Sequence, residues 1–134
     1  MLLSNLEIIN DIHVLDSYGE MKLPQSISYA ITRNLIVLQQ EYDCYQKELT
    51  KLLNHYSDDI ERDENGEMRL RSNGVPIISG SASEQFNADL TSLLSIEVDV
   101  ALFSVPLESF DYDGEKYDLL SAKDIYVLQN IICR

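Results

Sequence analysis

Two acidic turns contain the side chains whose types and spacing come nearest to a known chemistry, the binding of a calcium ion. Residues 63–66 and 111–114 each bring carboxylates to a glycine, as the loop of an EF-hand does. With that glycine at loop position 6, an EF-hand needs a bidentate glutamate at position 12, where this chain has Ser72 and Leu120. The pattern therefore indicates Asx-Gly turns and predicts no metal site.

Other arrangements that support catalysis are also missing from the sequence. The histidines, His13 and His55, do not belong to a spaced set of metal ligands. The carboxylates between residues 97 and 118 could pair for acid–base catalysis, but charges are also typical of exposed strand edges. No glycine-rich phosphate loop or nucleophile motif is found. The sequence predicts a protein without catalytic residues, cofactor or metal, and an enzyme only if folding assembles a site that no local motif shows.

The charge balance argues against nucleic-acid-binding and membrane-binding proteins. The chain has 23 Asp and Glu residues against 10 Lys and Arg residues, for a net charge of −13. Because clustered cations bind phosphate backbones, we expect no direct contact with nucleic acid and none with a membrane. The acidity either keeps the protein soluble or provides a contact surface for a basic protein. The candidate acidic contact surface comprises Asp58, Asp59, Glu61, Asp63, Glu64 and Glu67.

A stripe of apolar residues with alternating spacings of four and three predicts one long helix. Such spacing is typical of the seam along which one helix packs against another. Residues 25–60 contain neither proline nor glycine, and a helix of that length extends about 54 Å, beyond the roughly 36 Å diameter of a compact domain of this size. We therefore expect either a projecting hairpin or a homo-oligomer, with seam tyrosines in the interface. The seam comprises Ile31, Leu35, Leu38, Tyr42, Tyr45, Leu49, Leu52 and Tyr56.

Shorter elements surround the long helix. A Ser-x-x-Glu capping pattern opens a helix at 5–17, and further helices are predicted at 82–95 and 122–132. Residues 61–80 form an acidic turn or β-ribbon at the tip of a helical hairpin, and alternating residues from 96 onward predict a β-hairpin region at 96–118. We predict a single α+β domain over 1–134: a long, coiled-coil-like helical hairpin with a small antiparallel β element and short terminal helices.

Signals of cellular compartment are few. Cys44 and Cys133 do not make a disulfide framework. Neither a signal peptide nor an apolar run of ~20 residues is present. We therefore expect a cytoplasmic protein with reduced thiols.

Several segments together resemble a family of small proteins encoded in tailed-phage and prophage genomes, whose function is unassigned. They are a short helix at 5–10, the Leu-Pro-Gln-Ser-Ile-Ser segment at 23–28, the acidic tip at 63–66, the Phe-Asn-Ala-Asp-Leu-Thr-Ser-Leu-Leu segment at 86–94, the alternating residues at 96–102 and the Leu-Ser-Ala-Lys-Asp-Ile segment at 120–125. The resemblance implies a phage origin and a location in the bacterial host cell. It implies no catalytic or ligand residues.

Two functional hypotheses follow. The first is a non-enzymatic phage-type accessory protein that acts by protein–protein contact, either by self-assembly or as an assembly chaperone. The alternative is an acidic inhibitor of a host nucleic-acid-binding protein that mimics the charge of nucleic acid, since opposite charges accelerate association. The long seam favours the first hypothesis, and the net charge favours the second.

Overall fold

The computed structural model describes residues 1–133 and shows a mostly helical α+β protein. Its helices are α1 (Asn5–Ser17), α2 (Gln25–His55), α3 (Ala82–Ser95) and α4 (Ala122–Ile132), and its two short strands are β1 (Leu2–Ser4) and β2 (Glu97–Asp99). Single 3-10 turns lie at Ser57–Asp59 and Leu107–Phe110. The predicted combination of one long helix, shorter helices and a small antiparallel β element is confirmed.

The chain forms two compact units, and α2 belongs to both of them. Unit one contains Met1–Asp43 and the segment that starts at Glu97, whereas unit two contains Cys44–Ile96. Each unit has a hydrophobic core of its own. Of the 31 residues of α2, those up to Asp43 belong to unit one and those from Cys44 onward belong to unit two.

Unit one is held together by one pair of strands and by packing of helices α1, α2 and α4. The antiparallel register of β1 and β2 is Leu2↔Asp99, Leu3↔Val98, Ser4↔Glu97. Ser4 also caps α1, because its hydroxyl accepts from the Glu7 N–H at 3.1 Å while the Glu7 carboxylate accepts from the Ser4 N–H. The core includes three fully buried leucines, one from each helix: Leu15, Leu38 and Leu128.

A buried asparagine attaches α2 to the segment that follows β2. The Asn34 side chain is fully buried. Its Nδ2 donates to the Phe103 carbonyl at 2.9 Å, and its Oδ1 accepts from the Phe103 N–H at 2.7 Å. The side-chain amide therefore pairs with the backbone as a neighbouring strand would, and both of its polar ends are satisfied.

The prediction of a β-hairpin at 96–118 is wrong. The partner of β2 is β1, from the opposite end of the sequence, and residues 107–110 form a 3-10 turn after Pro106. The Asp113 side chain accepts from the Glu115 N–H at 3.0 Å, so this segment is an Asx turn without flanking strands. The local pattern at 96–118 could not identify this distant partner. Leu3 of β1 is buried, so β1 is also part of the core.

The long helix ends at His55, before the predicted end at residue 60. The next residues, Ser57–Asp59, form a 3-10 turn. Serine and aspartate side chains compete for backbone hydrogen bonds, and negative charge is unfavourable at the carboxyl end of a helix. These two effects explain why α2 does not extend through the acidic residues.

Residues 59–79 fold into a compact tip with three segments, where one β-ribbon was predicted. Isolated antiparallel bridges join Ile60 to Ile78, Arg62 to Met68 and Leu70 to Pro76. The backbones of residues 61, 69 and 77 close a ring: the N–H of 61 donates to the carbonyl of 77, that of 77 to 69, and that of 69 to 61, each at 2.8 Å. Three segments eight residues apart therefore pair with one another.

Candidate functional site

The predicted seam is covered by side chains of the same chain. Ile31, Leu38 and Tyr45 are buried, and the other five seam residues are half-buried. In unit one, Ile31, Leu35 and Leu38 belong to the core that includes Leu128. In unit two, Leu49, Leu52 and Tyr56 pack against Phe86 and its neighbours. Six of the eight seam residues therefore pack in one of the two internal cores.

The last seam residue, Tyr56, fixes α3 against the end of α2. Its hydroxyl donates to Asp89 Oδ2 at 2.7 Å, and its ring meets Phe86 edge-on with centroids 5.4 Å apart. The hydrogen bond to Asp89, together with burial, raises the pKa of the Tyr56 hydroxyl. The Arg71 guanidinium also lies over the Phe86 ring, 5.8 Å from its centroid. These contacts make Tyr56 a packing residue of unit two.

The predicted acidic contact surface lies in the tip of unit two and in the turn that precedes it. Asp58, Asp63, Glu64 and Glu67 are exposed, whereas Asp59 and Glu61 are half-buried. Asp63 also shapes the turn, since its Oδ1 accepts from the backbone N–H groups of Asn65 (2.9 Å) and Glu67 (3.0 Å). Three further carboxylates, those of Asp58, Glu64 and Glu67, therefore face solvent at this end of unit two.

Cations within the tip reduce its net negative charge. The Arg62 guanidinium donates to the Gly66 carbonyl at 3.0 Å, and the Arg71 guanidinium donates to Asn87 Oδ1 at 2.7 Å. Arg69 is exposed in the middle segment. The six carboxylates thus share this region with three arginines, so the tip is acidic but not uniformly negative.

The sequence contains more carboxylates than Lys and Arg side chains, so ion pairs within the chain cannot engage all of the carboxylates. The Met1 amino group forms an ion pair with Asp99 (2.7 Å), and Lys51 forms one with Glu48 (3.0 Å). Even if every Lys and Arg paired with one carboxylate, 13 of the 23 carboxylates would be left over. Seventeen of the 23 acidic side chains are exposed. The surplus charge therefore lies at the surface.

A groove between α1 and α2 is a feature of unit one that sequence reasoning missed. It has a volume of about 450 Å³, and its walls include Ile12, Asp16, Leu35, Ile36, Gln39 and Asp43. Ile36 is 57% exposed and lies next to Leu35, outside the stripe that was read as the seam. The signal in the sequence was that Ile36 follows Leu35. Successive residues lie about 100° apart around a helix, so Ile36 makes the apolar stripe of α2 wider than the seam.

Arrangements suited to metal or nucleophilic chemistry are not found in residues 1–133. No three His, Cys, Asp or Glu side chains within that range converge to hold a metal ion. His13 and His55 are both exposed. Cys44 is exposed, while Cys133 is half-buried, and burial raises the pKa of the Cys133 thiol.

Comparisons with protein-family models, curated proteins and solved structures found no match to this chain. The resemblance to tailed-phage proteins therefore stays a prediction. No helix in the described residues has the length and apolar character required to cross a bilayer.

Proposed function

We propose that this protein is a non-enzymatic binding protein whose partner is a basic protein. The proposal rests on a contrast between the two contact features predicted from the sequence, the seam of α2 and the acidic surface. Six of the eight seam residues pack in the internal cores, whereas 17 carboxylates are exposed. A surface of this charge attracts basic proteins and repels nucleic acids, because Coulomb steering acts over roughly a Debye length.

A basic nucleic-acid-binding protein is the partner class that fits this charge best. The surface that such a protein uses for phosphates is rich in Lys and Arg, and carboxylates of this chain would compete for it. In the phage context implied by the sequence resemblance, the partner is either a basic host protein or a basic structural protein of the phage. A basic structural protein corresponds to the accessory role predicted from the sequence, whereas a basic host protein corresponds to the alternative prediction, an acidic inhibitor.

Self-assembly through a coiled coil of α2 is the competing proposal. It requires seam residues to leave the internal cores, among them Leu38, which is fully buried. Moving such side chains out of the core would lose the stabilisation by burial, roughly 1.5–3 kcal/mol for each side chain, before contacts form in the new interface. Electrostatic repulsion between two chains, each with a net charge of −13, adds to that cost.

Affinity capture tests the proposal. The tagged protein is immobilised and incubated with bacterial lysate, with and without phage infection, at 100 mM and 1 M NaCl. We expect retrieval of one basic protein at the lower salt concentration and its release at the higher one, because the Debye length falls from about 10 Å to about 3 Å. Double-stranded DNA added as a competitor should release a nucleic-acid-binding partner. Retrieval of untagged copies of the same chain alone, or of no basic protein, would overturn the proposal.

A further inference from the structure

We propose that the groove between α1 and α2 binds a basic amphipathic helix of the partner protein. This inference rests on the proposed function and assigns it a surface in unit one. The groove walls combine apolar side chains (Ile12, Leu35 and Ile36) with carboxylates at Asp16 on α1 and Asp43 on α2. Apolar side chains with carboxylates beside them are complementary to a helix that carries apolar residues on one face and Lys or Arg beside them.

The groove is long enough for a helix of several turns. A second hollow, lined by Tyr18, Met21, Ser28 and Thr32, shares Leu35 and Ile36 with it. Between Ser28 and Asp43 the axis of α2 rises by about 22 Å, at about 1.5 Å per residue. An occupant helix of about 15 residues would span the same distance.

The charge of the walls determines which kind of helix fits. Among the described residues, neither hollow is lined by a lysine or an arginine. The Asp43 carboxylate accepts from Gln39 Nε2 at 3.2 Å, a neutral donor that leaves its charge in place. An acidic helix would be repelled here, and a basic helix would be attracted.

A second copy of this chain does not supply such a helix. Helices α1 and α3 contain no Lys or Arg, and α4 contains Lys123 alone. On α2, three cations are accompanied by the three acids Glu41, Asp43 and Glu48. Since none of these helices has a basic face, charge complementarity favours a different protein as the occupant.

The probe for a direct test is a fluorescein-labelled synthetic helix of 16 residues, with leucine on one face and lysine at the other positions. A second peptide with glutamate in place of lysine controls for charge. Fluorescence anisotropy gives the Kd of each peptide for the full-length protein. We expect the lysine peptide to bind and the glutamate peptide not to bind.

Matched variants locate the binding surface. Ile36→Ser removes an exposed apolar side chain from the groove, and Ile96→Ser removes one of similar exposure (57% and 50%) from unit two. Ile36 lies on α2, where Ile and Ser have similar helix propensities, and Ile96 follows the last residue of α3. Circular dichroism checks that both variants fold. We expect Ile36→Ser to raise the Kd fivefold to tenfold and Ile96→Ser to change it less than twofold, since contact with a large aliphatic side chain contributes about this much.

A charge-neutralising pair separates the groove from the acidic tip. The double substitution Asp16→Asn/Asp43→Asn should weaken binding of the lysine peptide at 100 mM NaCl and have little effect at 1 M. The matched pair Glu64→Gln/Glu67→Gln should change the Kd less than twofold.

Three results would overturn the inference: equal effects of Ile36→Ser and Ile96→Ser, loss of binding only in the tip pair, or a dimer of the free protein that Ile36→Ser dissociates. If only Glu64→Gln/Glu67→Gln abolishes binding of the lysine peptide, the proposed function still holds, with its contact surface at the tip. Failure of the lysate capture would instead count against the proposed function itself.

Discussion

Replacing Asn34 by leucine tests the link between α2 and the segment after β2. Leucine has a similar size but cannot pair with the backbone of Phe103, whose N–H and carbonyl lie 2.7 Å and 2.9 Å from the asparagine amide. A buried polar group left without a partner costs about 1–3 kcal/mol. With two such groups, and with some gain from the apolar side chain, we expect Asn34→Leu to lower the free energy of unfolding by about 2–4 kcal/mol.

Thermal and urea unfolding, followed by circular dichroism, measure this loss. For a chain of this length, 1 kcal/mol corresponds to roughly 3–4 °C in Tm, so the expected fall is about 6–16 °C. The matched control is Asn10→Leu, because Asn10 is an exposed asparagine on α1. Substitutions at such positions usually change stability by less than about 0.5 kcal/mol. Equal stability of Asn34→Leu and Asn10→Leu would refute the role given to Asn34.

The variant Asn34→Asp adds a test that depends on pH. Its ionised carboxylate can accept from the Phe103 N–H but faces the Phe103 carbonyl oxygen without a proton to donate. Burial and this carbonyl raise the pKa of the introduced carboxyl above its unfolded value of about 3.9. The folded state then binds the proton more tightly, so stability is greatest below the unfolded pKa and is lost as pH rises through the folded pKa. A variant that is no more stable at pH 4 than at pH 7, relative to the parent protein, would contradict the observed pairing.

Three further predictions concern the tip, the half-buried Tyr18 and the seam. Gly74→Ala should lower the free energy of unfolding by about 1 kcal/mol because φ is +84° there, whereas Gly19→Ala, at a position without positive φ, should not; equal melting temperatures would argue against the tip geometry. Tyr18 donates to Asp124 at 2.7 Å, and burial raises the pKa of Tyr18 to about 12. Its contribution to stability is therefore complete below pH 10 and lost as pH rises through about 12, so Tyr18→Phe should have a flatter stability profile above pH 10, measured by urea unfolding. Leu38→Ala should cost about 2–5 kcal/mol without altering the sedimentation coefficient, and dissociation of an oligomer by this change would instead place the seam between chains.

Local signals in the sequence identified helix starts, because each signal lies within one turn of the helix that it opens. Ser4 and Ser121 both make reciprocal capping boxes, with Glu7 and Asp124. The similar pattern at Ser81 does not lead to a side-chain cap. There, α3 is fixed by burial of its apolar face, which includes the fully buried Phe86. Packing therefore supports a helix whose capping pattern is not used.

Features that join distant residues could not be predicted from local patterns. Pairing of Leu3 with Val98 spans most of the sequence, and no periodicity indicates which strand is the partner. The three-segment tip was more accessible, since its Asn-Gly pairs at 65–66 and 73–74 are eight residues apart. Three seam residues are buried, but other fully buried residues of α2, among them Ile27 and Asn34, lie outside the predicted seam. The seam also did not identify the elements that cover it, because heptad spacing is the same for internal and intermolecular packing. The α1–α2 groove depends on how two helices meet, which the sequence of either helix does not specify.

Binding of a basic protein through surface charge is the central claim, and the salt dependence of the Kd tests it most directly. The protein captured from lysate is purified, and its affinity for the full-length chain is measured at NaCl concentrations between 100 mM and 1 M. We predict that the Kd rises at least tenfold across this range, as contacts between exposed charges are screened. A Kd that stays within twofold would contradict the claim and would indicate an interface dominated by apolar contact.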